Sequence, residues 1–100
     1  MFGVLLKHQA KPGRRDELEA VWKQYMQPVI DGNESHLHYV YAFGEDADTV
    51  IAMQIYRSAE DAQAFLKQSA YLAYVEASRP LIEHEPEVTT FSPRWIKTSG

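Results

Sequence analysis

The chain has 100 residues, which is enough for one domain with a modest core. It carries 10 Lys and Arg against 14 Asp and Glu, and the net charge of −4 argues against a nucleic-acid partner, which favours a basic patch. The absence of cysteine excludes a disulfide scaffold, a thiolate metal site and a cysteine nucleophile. No apolar run is long enough for a membrane span or a signal peptide. We therefore expect a single domain over residues 1–100, cytoplasmic and without a membrane partner.

The pattern of the first 33 residues predicts a strand followed by a helix. Residues Phe2 to Gln9 are mostly apolar, and Lys11-Pro12-Gly13 ends that strand. Residues Arg14 to Met26 have the spacing of an amphipathic helix. Pro28 lies near the predicted end of the helix, and Asp31-Gly32-Asn33 forms a turn.

The next residues predict two further strands that form a hairpin. Residues His36 to Phe43 alternate, which places Leu37 and Tyr39 on one face and His36 and His38 on the other. Residues Thr49 to Tyr56 form the second strand, after an acidic turn.

The last part of the chain predicts two helical pieces and a closing strand. Ser58 is a helix cap, and Ser69 is a candidate cap for the second piece, which Arg79-Pro80 interrupts. Val88 to Phe91 is the last strand, and it can resume through Trp95 and Ile96.

This order predicts an α+β protein with the ferredoxin-like βαββαβ topology and a four-stranded antiparallel sheet. Two helices then cover one face of the sheet. The other face is also apolar, because Leu5 points to the side opposite Val4 and Leu6, and Met53 points to the side opposite Ala52. An apolar second face implies a partner or a lipid-like ligand, and a second copy of the chain is the simplest partner. We therefore expect a homodimer formed through the sheet face.

Several segments resemble the antibiotic biosynthesis monooxygenase (ABM) domains. The resemblance begins with the first strand, Lys11-Pro12-Gly13-Arg14 and the amphipathic helix, and includes Tyr39. It continues through residues 54–61, Gln-Ile-Tyr-Arg-Ser-Ala-Glu-Asp, and through Ala64-Phe65-Leu66. It ends with Pro86-Glu87-Val88, so that it covers nearly the whole chain.

This resemblance implies a dimeric α+β barrel in which each subunit holds an apolar pocket between its sheet and its helices. It also implies oxidation of polycyclic phenols or quinols by molecular oxygen without metal or flavin, so that no cofactor is expected. The chain differs from many members in having Phe65 and Ala70 at the positions of two helix histidines, and Gln54 in place of a strand glutamate. Val75 stands where the heme-degrading relatives have an axial histidine, which argues against heme degradation.

Glu34, His36 and His38 form the sharpest local group of polar side chains. If the strand extends to Glu34, all three point to one face, and carboxylate and imidazole ligands suit zinc, iron or nickel. The alternative is an edge strand whose polar residues protect it from aggregation.

His8 ends the predicted central strand, where a histidine can act as a general base near neutral pH. The alternative is a histidine at the rim that bonds the backbone. His84 lies between two glutamates and is interpreted as a solvated loop residue.

The aromatic residues are numerous for this length, and core packing accounts for most of them. Tyrosine and tryptophan also suit a pocket for a flat phenolic ligand. Gln54 is polar in an apolar strand, and it hydrogen-bonds either a ligand or a neighbouring group. The candidate pocket residues are Trp22, Tyr39, Gln54, Tyr56, Phe65, Tyr71, Tyr74 and Trp95.

Two functional hypotheses follow. The first is a cofactor-independent monooxygenase for a small aromatic, phenolic or quinol substrate, with His8 or His38 as the catalytic proton acceptor. The second is a non-catalytic dimeric module that binds a small ligand or regulates another protein, because a fold does not fix a function. A metal enzyme built on Glu34, His36 and His38 is a distant third.

Overall fold

A computed structural model describes residues 1–97 of the chain. The strands are β1 (Phe2–Gln9), β2 (His36–Phe43), β3 (Thr49–Tyr56) and β4 (Glu87–Phe91). The helices are α1 (Arg15–Tyr25), α2 (Gln27–Asp31), α3 (Ala59–Phe65) and α4 (Ser69–Ser78), followed by a 3₁₀ turn at Arg79–Leu81. This is the predicted α+β, βαββαβ order, with each helical segment divided in two.

The four strands form one antiparallel sheet in the order β2-β3-β1-β4. Val4 pairs with Gln54, and Gln54 pairs with Tyr39, so these three side chains share one face. Buried residues from the helices pack on that face, including Trp22 of α1 and Phe65 of α3. We call it the helix face and the opposite side the outer face.

The first helical segment is divided at Met26. Leu18, Trp22 and Met26 are spaced by four residues and are all buried, which fixes the side of α1 that packs on the sheet. Pro28 lies near the end of α1, as predicted, and stands in the first turn of α2. A proline is tolerated there because the first N–H groups of a helix have no partner within it.

The second helical segment confirms one predicted cap and corrects another. The Ser58 side chain accepts a hydrogen bond from the backbone N–H of Asp61 at 3.1 Å, as a helix cap should. Ser69 is not a cap, because Gln68 occupies the cap position of α4 and makes no side-chain bond there. No helix within residues 1–97 is long and apolar enough to cross a membrane.

Strand β2 contains an extra residue that the alternation pattern did not reveal. His36 pairs with Tyr56, whereas His38 pairs with Ile55, so Leu37 has no partner of its own. This β-bulge reverses the side to which the preceding residue points. His36 therefore shares the helix face with Tyr39, and the prediction that His36 and His38 share a face is wrong.

The outer face is apolar over much of its area, as predicted. Leu5, Met53 and Val40 are paired across three strands on this side, and Val40 is 48% exposed. Gly3 leaves room for the Phe91 ring, which lies where a side chain at position 3 would stand.

The predicted continuation of the last strand is wrong. The chain between Phe91 and residue 97 forms no strand, and Trp95 is 79% exposed. Pro93 lacks the N–H that a continuing ladder would need.

Candidate functional site

A cavity of about 190 Å³ lies between the helix face of the sheet and the helices. All four strands contribute to it, together with α1, α3 and α4. No Asp, Glu, Lys or Arg is among the residues that line it in the described part of the chain. Its aromatic and polar lining comprises Phe2, His8, Trp22, Tyr39, Tyr41, Gln54, Tyr56, Gln63, Phe65, Tyr71, Tyr74 and Thr90.

The structure brings most of the predicted site residues together at this cavity. The predicted residues that line it are His8, Trp22, Tyr39, Gln54, Tyr56, Phe65, Tyr71 and Tyr74. Trp95 does not line it, because the strand expected to carry this side chain does not form. His38 does not line it either, because it pairs with Ile55 on the outer face.

The structure does not assemble the metal site considered for Glu34, His36 and His38. The bulge sends the two imidazoles to opposite faces of the sheet, and Glu34 lies exposed in the preceding turn. Among residues 1–97 there is no group of three or more side chains placed to hold a metal ion.

A chain of hydrogen bonds fixes the orientation of the Gln54 amide. Asn33 Oδ1 accepts from the backbone N–H and the hydroxyl of Ser35, so the Asn33 amide nitrogen points to His36 Nδ1 at 2.9 Å. Nδ1 must then accept this bond, and the ring proton of the neutral imidazole lies on Nε2. His36 Nε2 donates to Gln54 Oε1 at 3.2 Å, and the Tyr56 hydroxyl donates to the same oxygen at 2.6 Å.

This hydrogen-bond network leaves the amide nitrogen of Gln54, with its two N–H donors, free. Gln54 is 4% exposed and lines the cavity, and no residue within 1–97 accepts from its Nε2. Its N–H groups are therefore available to a ligand in the cavity. Burial lowers the pKa of His36, although the hydrogen bond to Gln54 opposes this effect.

A second donor comes from Tyr39. Trp22 Nε1 donates to the Tyr39 hydroxyl at 3.2 Å, so the hydroxyl proton of Tyr39 is free to point elsewhere. Burial raises the pKa of Tyr39 to about 12, so the group stays protonated at neutral pH. The Tyr41 ring stacks on Trp22 with 4.2 Å between ring centroids, which holds the indole in place.

His8 is the titratable imidazole in the cavity wall. It is 6% exposed, and its Nδ1 has no partner among the described residues. Burial lowers the pKa of His8 to about 4, so the ring is neutral at neutral pH. A free phenol has a pKa near 10, and a full proton transfer across about six pKa units costs about 8 kcal/mol. His8 is therefore better suited to accept a hydrogen bond than to hold a proton.

Comparison with known proteins identifies the family. The profile described as "Antibiotic biosynthesis monooxygenase" matches residues 1–77. The chain belongs to the antibiotic biosynthesis monooxygenase family. A search of curated proteins found no match.

Solved structures from three bacteria share the fold. A Chloroflexus aurantiacus protein, provisionally described as an antibiotic biosynthesis monooxygenase, is 26% identical, with 99% of this chain and 98% of that chain covered and a TM-score of 0.82. Rv0793 from Mycobacterium tuberculosis is 18% identical over 97% and 98% of the two chains, with a TM-score of 0.84. NE2512 from Nitrosomonas europaea, described as of unknown function, is 14% identical over 99% and 94%, with a TM-score of 0.83.

Sequence reasoning missed two parts of the site of this family member. His36 was assigned to the wrong face, although it lies directly behind the wall, 4.3 Å from the Tyr56 ring and 4.6 Å from the Phe65 ring between centroids. Asn33 was interpreted as a turn residue only, although it sets the tautomer of His36. The close spacing of the polar residues Asn33, Ser35 and His36 is the sequence signal from which a side-chain hydrogen-bond network could have been predicted.

Protonation of His8 should destabilise the fold. The folded pKa is about 4 and the unfolded pKa is about 6.5, so the unfolded chain binds more protons between these values. The free energy of unfolding should therefore fall by up to about 3 kcal/mol as the pH decreases from 6.5 to 4, and the lowered pKa of His36 acts in the same direction. Urea unfolding across this pH range measures the effect. His8→Gln should flatten the curve and His84→Gln should not; a folded His8 that titrates near 6.5 by NMR would refute the assignment.

Loss of the Gln54 carbonyl should lower the free energy of unfolding more than loss of one of the groups that donate to it. Tyr56→Phe removes one hydrogen bond while His36 still donates to Gln54, and we expect a loss of about 1 kcal/mol. Gln54→Leu leaves both donors unpaired in a buried wall, and we expect a loss of about 3 kcal/mol. Urea unfolding compares the two variants, with Tyr71→Phe as the control. Equal losses for Gln54→Leu and Tyr56→Phe would contradict the network.

Proposed function

We propose that this protein is a monooxygenase that oxidises a small aromatic phenol or quinol with molecular oxygen. The observation that carries the proposal is the uncharged aromatic cavity, in which two neutral donors, Tyr39 O–H and Gln54 N–H, have no acceptor among residues 1–97 and so are available to a ligand. Membership of the family supports the same reaction class.

The volume of the cavity favours a compact ring. A cavity of about 150 Å³ binds benzene. The cavity here is about 190 Å³, so it accommodates one aromatic ring with small substituents. The walls supply aromatic contacts to such a ring, including Trp22 and Phe65.

The two free donors are placed to stabilise the negative charge that develops on the substrate during the reaction. A phenol reacts with oxygen more readily as it gains anionic character at its ring oxygen. Tyr39 O–H and Gln54 N–H stabilise that developing charge, because neutral donors act strongly where water is excluded. The neutral His8 imidazole lines the cavity and can accept a hydrogen bond from a substrate hydroxyl, which raises the electron density on that oxygen while the proton stays shared; the hydroxyl protons leave in the water that the reaction forms.

The overall reaction balances without a further reductant. For hydroquinone as the simplest substrate, one molecule of oxygen inserts one oxygen atom into a ring C–H bond and releases the other as water. The product is hydroxyquinone, and the substrate itself supplies all four electrons. The protein orients the ring, stabilises its anionic form and keeps water from the intermediate.

A non-catalytic binding module is the second candidate. The observation that favours it is the low pKa of His8, about 4, which makes this imidazole a weak base. A site of this kind retains a phenolic ligand through the same donors without oxidising it.

Oxygen uptake by metal-stripped protein tests the two candidates. We expect saturable uptake with a panel of substituted hydroquinones, above that of heat-denatured protein. Tyr39→Phe should lower kcat/KM about 100-fold, because it removes one donor to the developing charge. Tyr25→Phe is the matched control, since Tyr25 packs beside the core and does not line the cavity. Binding without uptake across the panel would support the binding module and refute the oxygenase.

We also propose that two copies of the chain associate through their outer faces. This face carries apolar side chains from three paired strands, including Leu5, Met53 and the 48% exposed Val40. A self-complementary sheet face favours a two-fold dimer.

Sedimentation tests the association. The native protein should sediment at twice its 11.5 kDa chain mass. Val40→Glu should shift it toward the monomer, because a charge would then be buried at the interface. Leu72→Glu, at a 54% exposed site on α4, should leave the dimer intact. A monomeric native protein at micromolar concentration would contradict the proposal.

A further inference from the structure

A second cavity of about 110 Å³ lies next to the first. The two cavities share four lining residues, Leu6, His8, Tyr71 and Tyr74. The second cavity extends from this shared wall toward the end of α4 and the loop that leads to β4.

The second cavity is too small for another ring. It falls below the volume of about 150 Å³ that admits benzene. A water molecule occupies about 30 Å³ of liquid, so 110 Å³ corresponds to about three or four non-hydrogen atoms. Together the two cavities reach about 300 Å³, the lower end of ordinary ligand sites.

The walls of the second cavity are chiefly apolar beyond the junction. Val75, Ile82 and Pro86 line it, and the Ser78 hydroxyl is satisfied because it donates to the backbone carbonyl of Val75 at 3.1 Å. Arg79, at the edge, donates to Glu76 in an exposed ion pair at 2.9 Å. Glu85 also lines the cavity, as an exposed side chain; burial raises the pKa of Tyr71, and the charge of Glu85 contributes to this effect. The two charged residues of the wall are thus exposed, and the rest of the surface beyond the junction offers its occupant mainly apolar contact.

The junction holds an unpartnered polar group. His8 lines both cavities, is 6% exposed, and its Nδ1 has no hydrogen-bond partner among residues 1–97. A buried nitrogen without a partner is costly. The His8 ring lines both cavities, so an occupant that extends from one to the other contacts this imidazole.

We propose that the second cavity is a subsite for a side chain of the substrate. The ring occupies the first cavity, and a mainly apolar substituent of three or four non-hydrogen atoms passes His8 and enters the second. This inference deepens the proposed function and depends on it for the aromatic ring. It defines the substrate class as a phenol or quinol with one short alkyl-like substituent.

A series of probes tests the length of the subsite. Calorimetry under nitrogen, where no oxidation occurs, compares hydroquinone, n-butylhydroquinone and n-octylhydroquinone. Each buried methylene raises affinity up to about fourfold. We expect n-butylhydroquinone to bind at least tenfold more tightly than hydroquinone. The octyl compound should bind within threefold of the butyl compound or more weakly, because the subsite is already full.

Two variants fill the proposed subsite from different positions. Ser78→Leu and Val75→Phe add side-chain volume to the second cavity, and neither residue lines the first. Each should reduce the preference for the butyl compound to less than about threefold and leave the Kd of hydroquinone within threefold. Ala73→Leu is the matched control, because Ala73 is an exposed residue of α4 that lines neither cavity.

The outcomes separate this inference from the proposed function. Hydroquinone binding without a preference for the butyl chain overturns the subsite and leaves the proposed function standing. Continued gain with the octyl chain, or a preference retained in a folded filled variant, also overturns the subsite. Failure of all three probes to bind the native protein overturns both. The butyl-to-octyl comparison uses native protein, so it decides the question even if both variants fail to fold.

Discussion

The extra residue in β2 is the constraint on which one wall of the cavity depends. Because Leu37 has no partner in β3, His36 turns to the helix face and reaches Gln54. Without this bond the buried Gln54 carbonyl would have one donor instead of two. A regular strand would place the imidazole on the outer face. The bulge thus converts a polar side chain of an otherwise ordinary hairpin into a fixed support behind the site.

The electrostatics of the cavity follow from the same burial. Burial raises the pKa values of Tyr41, Tyr56 and Tyr74 above that of free tyrosine, and it lowers that of His8. At neutral pH these groups are all uncharged. The cavity therefore acts through oriented dipoles rather than through ions, which suits a neutral aromatic ligand that gains charge only as it reacts. This property links the core packing of the fold to the reaction that we propose.

The sequence predicted the architecture closely because its strands follow simple patterns. The bounds of β1, β2 and β3 follow from apolar and alternating residues, and the Ser58 cap follows from local chemistry. The errors have specific causes. A bulge leaves the alternation of residue types unchanged, so the face of His36 could not be read from spacing. The predicted position of Trp95 depended on a strand that continues past Phe91. This strand does not form, because Pro93 has no N–H to donate to a neighbouring strand.

The residues of the candidate site could be predicted from the sequence, but the hydrogen bonds among them and the shape of the cavities could not. Eight of the predicted residues meet at one cavity because alternate strand residues share the helix face. The hydrogen bonds among Asn33, His36 and Gln54 depend on side-chain orientation. The two cavities meet where side chains of β1, Leu6 and His8, and of α4, Tyr71 and Tyr74, line both of them. Neither feature is encoded in the spacing of residue types.

The two tryptophans of the chain allow the most direct test of the aromatic site. Trp22 lines the cavity and donates its indole N–H to Tyr39, whereas Trp95 is 79% exposed. Their indole signals can be followed by ¹H–¹⁵N NMR under nitrogen as hydroquinone is added, with Trp95→Phe to assign them. We predict a saturable shift of the Trp22 signal and an unchanged Trp95 signal. An unchanged Trp22 signal, or equal shifts of both, would contradict an aromatic ligand site in this cavity.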